Sequence, residues 1–142
     1  MYYGGNNEYY NEFKEKLFSI VYRERTFTMN EVVKFKWEKM YVFEPYLSRE
    51  AMESEVGSKW TNAVSYLGYL FQRSSLDRFP LSDDNYHKLV FVNNDKVVLD
   101  ITLDRYDIDF LPIKQISKAD RTKLTVKKEE DKYLVKLKGS VN

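Results

Sequence analysis

Cysteine is absent from the chain and histidine occurs once, at position 87. This excludes disulfide frameworks, thiol nucleophiles and zinc sites assembled from Cys and His. Any Ser-His-Asp arrangement must use His87, and no GxSxG elbow presents a serine to it. Glycine is scarce as well: Gly4, Gly5, Gly57, Gly68 and Gly139 never fall two apart, and none opens a GxxxxGK run. Dinucleotide fingerprints and phosphate loops are therefore missing. Charge of one sign is not in excess either, with 23 basic and 22 acidic residues giving +1, so bulk charge selects neither nucleic acid nor an anionic membrane. The longest plain apolar run is Leu89-Val90-Phe91-Val92, far short of the roughly 20 residues that span a bilayer.

What the chain does have is aromatic weight. It holds 12 Tyr, 9 Phe and 2 Trp in 142 residues, which marks a folded chain of single-domain length, residues 1–142, able to build a core without a metal or disulfide staple. Apolar groups at Tyr9/Tyr10, Phe13, Leu17 and Ile20/Val21 predict a helix over 7–23, with Asn6 or Asn7 available to cap it. Thr28 and Glu31 have capping-box spacing ahead of Val32 and Val33. Alternation from Phe35 through Trp37, Tyr41 and Phe43 predicts a strand over 35–44 with those four aromatics on one face, closed by Pro45. Ser48 as N-cap, Leu47 stapled onto Met52 and Gly57 as a left-handed stop predict a helix over 49–56. Trp60 to Phe71 satisfies neither period, and Arg73 to Tyr86 reads as loop. Leu89–Val92 and Lys96–Leu103 flank Asn93-Asn94-Asp95 as one hairpin; Leu124–Lys128 and Lys132–Lys138 flank Glu129-Glu130-Asp131 as a second. Helices early, hairpins late and no βαβ alternation predict an α+β fold, a mainly antiparallel sheet of about five strands with helices packed on one face.

Few residues stand out for chemistry. His87 opens a strand, where a surface histidine without a catalytic role is the expectation. Asp100, Asp104, Asp107 and Asp109 cluster, but the calcium-loop spacing that starts at Asp107 has no glycine at its sixth position and Lys118 where the bidentate Glu belongs, so no metal site is expected. Residues 113–142 hold nine basic against four acidic side chains, a local +5, yet offer only Tyr133 as a stacking aromatic. Lysines defending an exposed sheet edge are expected there, and nucleic acid is not an expected partner. Trp37, Tyr41, Tyr46 and Trp60 are the candidate ligand-binding residues, because aromatics bury large areas and keep a polar tip for orientation; the competing expectation is a sheet face packed on helices.

The run Phe35-Lys36-Trp37-Glu38-Lys39-Met40-Tyr41-Val42-Phe43-Glu44-Pro45-Tyr46 resembles the F-x-W-[DE]-K-x-Y-[IV]-F-x-P-Y pattern of small lipoproteins of Gram-positive bacteria. Leu89-Val90-Phe91-Val92 with Asp95-Lys96-Val97-Val98 resembles that family's L-V-F-V hairpin, whose turn usually carries glycine where this chain has Asn94-Asp95. Arg105 with Asp109-Phe110 resembles its R-x-x-x-D-F element. The resemblance implies a place outside the membrane, held by a lipidated cysteine ahead of Tyr2 with residues 1–6 as a flexible tether, and it implies no reaction and no cofactor. The expectation is thus a non-catalytic, envelope-associated domain that binds a protein or a small ligand. A carboxylate-based hydrolase and a cytoplasmic interaction protein are the alternatives.

Overall fold

The computed structural model describes residues 9–23, 25–45, 47–57, 85–130 and 132–138. Helix α1 spans Tyr10–Arg23 and buries one stripe, Phe13, Leu17, Ile20 and Val21, while Glu12 is exposed. The stripe follows the three-to-four residue spacing of an amphipathic helix. Helix α2, Arg49–Val56, is built as its sequence signals require: Ser48 Oγ accepts from the Ala51 N–H at 3.1 Å, and Gly57 closes the helix at φ +83°. Leu47 and Met52 lie in one cluster, which fits a staple across the first turn.

Among the described residues eight strands form two sheets. The first contains β2 (Lys39–Phe43), β3 (Tyr86–Asn93), β4 (Lys96–Asp104) and β6 (Gln115–Ser117) in the order β4-β3-β2-β6, antiparallel throughout. The second contains β1 (Thr26–Thr28), β5 (Ile108–Asp109), β7 (Lys123–Glu129) and β8 (Lys132–Leu137) in the order β1-β7-β8-β5, with β5 parallel to β8. The fold is α+β with mainly antiparallel sheets, as expected, but the described residues already hold eight strands in two sheets instead of about five in one. Strands β1, β5 and β6 are two or three residues long, too short to show a period.

The expected strand over 35–44 begins only at Lys39, and its face assignment changes. Phe35, Trp37, Met40 and Val42 pack into the larger core with α1, whereas Tyr41 and Phe43 pack into a second cluster. A one-residue phase shift therefore falls between Trp37 and Met40, where Glu38 bends the chain. Because side chains alternate along a strand, a slip of one residue moves every later side chain to the other face. Strand β3 is buried on both faces: Leu89 and Phe91 join the larger core, Val90 and Val92 the second. The helices divide accordingly. The buried stripe of α1 lies in the larger core, and Met52 of α2 lies in the second, so the expectation of helices on one face gives way to one helix on each. The larger core is shared by both sheets, through Phe27, Leu124 and Val135 from one and Leu89, Leu99 and Ile101 from the other.

Candidate functional site

The two aromatic candidates that fall among the described residues, Trp37 and Tyr41, lie in different clusters. Trp37 is 4% exposed and meets Phe91 edge-on at 5.6 Å between ring centroids, inside the larger core. Tyr41 is 7% exposed, stacks on Phe43 at 5.9 Å, and belongs to the opposite face of the sheet. Tyr46 and Trp60 lie outside the described residues, as do residues 60–71 and most of 73–86.

His87 is not the surface residue its strand position suggests. It is fully buried, its Nδ1 lies 3.0 Å from the Leu103 carbonyl, and its Nε2 accepts from the Phe110 N–H at 3.1 Å. A carbonyl accepts only, so Nδ1 carries the proton and the ring is neutral. Burial holds its pKa down at about 4, against the opposing pull of Asp109 and the Leu103 carbonyl. With both nitrogens engaged by backbone and no solvent contact, this imidazole has no access to a substrate proton.

The acidic residues likewise have separate occupations. Asp109 accepts from the Leu111 N–H at 2.9 Å and from Arg105 Nε at 3.1 Å, with Lys132 Nζ at 3.6 Å. Asp104 accepts from the Tyr106 N–H at 2.8 Å. Asp100, buried in β4, is 2.8 Å from Lys88 Nζ, which also donates to Thr102 at 3.1 Å. Among the described residues no group of three potential metal ligands converges.

What the strands do build is a recess of about 540 Å³ at one end of the first sheet. Its lining comes from four places: Asn30 in the 3-10 turn Met29–Glu31, Trp37 to Lys39 at the start of β2, Ser117 at the end of β6, and Lys118, Ala119 and Arg121 in and after the 3-10 turn Lys118–Asp120. The 3-10 turn at Met29 is held as its spacing predicts, with Glu31 accepting from the Thr28 N–H at 2.6 Å. Register then joins the rest. Lys39 stands opposite Ser117, the Lys118 N–H donates to the Glu38 carbonyl at 2.9 Å, and the Arg121 N–H donates to the Lys118 carbonyl at 3.1 Å. Successive backbone bonds thus fix Lys39, Lys118 and Arg121 around one corner.

All three cations are exposed, and among the described residues none has a carboxylate within ion-pair distance. The one acidic residue among the described lining, Glu38, directs its carboxylate to the Asn94 N–H in the turn between β3 and β4. Arg121 sits at φ +47°, a left-handed conformation that costs a residue with a Cβ roughly 1 kcal/mol or more. Backbone strain of that kind collects at binding sites, where the surrounding structure fixes an unfavourable residue in place. Sequence reasoning singled out Trp37 here and missed Lys39, Lys118 and Arg121. The basic excess in 113–142 contained the last two, but the partner strand that brings Lys39 to them is invisible without the β2–β6 register.

Comparison with known proteins matches no family model, no curated protein and no solved structure. No helix among the described residues is long and apolar enough to cross a membrane.

Proposed function

We propose that this chain is a non-catalytic binding domain whose ligand site is the recess between the 3-10 turn at Met29, the start of β2 and the turn after β6. The recess carries the proposal: its volume falls within the range typical of small-molecule sites, and several polar and charged residues line it together with Trp37. A hydrolytic alternative needs two carboxylates facing one cleft, and among the described residues that line the recess the single carboxylate is that of Glu38, already committed to a backbone amide. Placement in the cell envelope, on a lipid tether, rests on the Phe35–Tyr46 pattern.

The site is tested by titrating the isotopically labelled chain with a set of neutral and charged fragments while following its amide and indole resonances. Saturable shifts confined to Asn30, the Trp37 indole and Ser117–Arg121 are expected. Shifts elsewhere, or none with any fragment, would remove the recess as the site. Fractionation of cells expressing the full-length gene tests the placement separately. Retention with membranes until detergent is added is expected, and a soluble cytoplasmic pool would sink it.

A further inference from the structure

We infer that the recess takes a small phosphate-bearing anion, an inference that rests on the recess being the ligand site. Among the described residues that line it are three cations, Lys39, Lys118 and Arg121, against one carboxylate, Glu38, a local excess of +2 in a chain whose net charge is +1. Among the described residues the buried Lys88 is paired with Asp100, and Arg105 and Lys132 with Asp109. Backbone hydrogen bonds hold the three unpaired cations on one corner of the fold, and a dianion there would be attracted by all three. Arg121 supplies a planar fork that suits phosphate oxygens, and Lys39 and Lys118 supply compact point charges. The Ser117 hydroxyl and the Asn30 amide add neutral donors at the same lining.

The volume, about 540 Å³, exceeds what a lone inorganic ion fills, so the phosphate belongs to an organic molecule. A nucleic-acid strand fits less well. It needs a basic track with aromatic stacking platforms, and the indole of Trp37 is 4% exposed.

The test titrates the full chain with inorganic phosphate, with glycerol phosphate and with glycerol at low ionic strength, following the same resonances. Saturable shifts at Ser117–Arg121 with both phosphates and none with glycerol are expected, weakening as salt is added. Tighter binding of glycerol phosphate assigns the ligand as a phosphate ester; equal affinity assigns recognition to the phosphoryl group alone. Arg121→Asn keeps a residue that tolerates the left-handed turn, so its melting temperature should be unchanged or higher while its affinity falls about tenfold or more. Lys118→Gln should weaken binding similarly, and the control Lys127→Gln/Lys128→Gln, on β7, should not.

Equal weakening by that control would reduce the effect to diffuse surface charge and overturn the inference. So would tighter binding of a single-stranded oligonucleotide with shifts along β7 and β8. Neutral fragments that shift the recess when phosphates do not would leave the site standing and its anion preference refuted. No response to either would remove both.

Discussion

The backbone N–H of Phe110 donates to Nε2 of His87 at 3.1 Å, and this contact ties the residue after β5, in one sheet, to β3 in the other. It requires a neutral imidazole, because a protonated Nε2 has no lone pair to offer. With Leu103 accepting from Nδ1 at 3.0 Å, the histidine bridges β4 as well. Its role is to hold two sheets in register.

The same contact sets a pH dependence. Burial lowers the His87 pKa from 6.5 to about 4, with Arg105 acting in the same direction and Asp109 and Asp104 opposing. Between those values the unfolded chain binds a proton that the folded chain refuses, so stability rises with pH across this window and falls as pH drops through it. At 1.36 kcal/mol per pH unit the full effect is about 3 kcal/mol, complete near pH 7 and exhausted below about pH 4. Urea unfolding of the chain and of His87→Gln at pH 7, 5.5 and 4.5 measures it. A variant whose stability tracks the parent's slope at every pH would show that the histidine is not its source.

Trp37→Ala should destabilise by about 3 to 5 kcal/mol, the usual cost of deleting a large buried aromatic. The ring is in the core against Phe91, and Phe91 in turn packs edge-on with Phe13 of α1 and Phe35. Chemical denaturation reads this directly. Near-neutral stability would mean that the indole serves the recess alone and contributes nothing to the core.

The turn between β3 and β4 offers a change in the opposite direction. Asn94 and Asp95 adopt φ of 51° and 63°, the two consecutive left-handed residues of a type I′ turn. Asp95→Gly removes the Cβ that makes this conformation costly and should stabilise the chain by up to about 1 kcal/mol. Asp95→Val, β-branched, should destabilise by about 1 to 2 kcal/mol. Thermal unfolding of the pair provides the check, and identical midpoints would contradict the turn assignment.

This hairpin was legible because its signals are local: turn residues between two apolar runs. Helix α2 was legible for the same reason, with Ser48, Leu47 and Gly57 each acting within a few residues. Features made by distant pairing were not. A period of two joins Phe35, Trp37, Tyr41 and Phe43 across the polar Lys39, and with Met40, Tyr41, Val42 and Phe43 all apolar the pattern does not say which phase faces the larger core after the bend at Glu38. His87 looked like a surface residue because its two partners, Leu103 and Phe110, lie 16 and 23 positions onward. The recess has the same character. Lys39 meets Lys118 only because β2 pairs with β6, and a three-residue strand leaves no pattern to find.

The buried pair between Lys88 and Asp100 was also hidden, since Lys88 reads as the polar edge of a strand and Asp100 as one of a run of aspartates. Both residues lie on the face of the first sheet that carries Tyr41, Phe43 and Val90, where Lys88 stands opposite Phe43 and Asp100 opposite Val90. Withdrawing two charges from water costs several kcal/mol each, and the attraction at 2.8 Å with a further bond to Thr102 offsets much of that cost. Asp100→Leu alone leaves a buried ammonium without its counter-charge and should cost about 3 to 5 kcal/mol. Lys88→Met with Asp100→Leu removes both charges and should recover most of the loss, so the two substitutions should be strongly non-additive in a double-mutant cycle. Additive losses would show that the two charges act on stability independently, and that the pair does not hold this face of the sheet together.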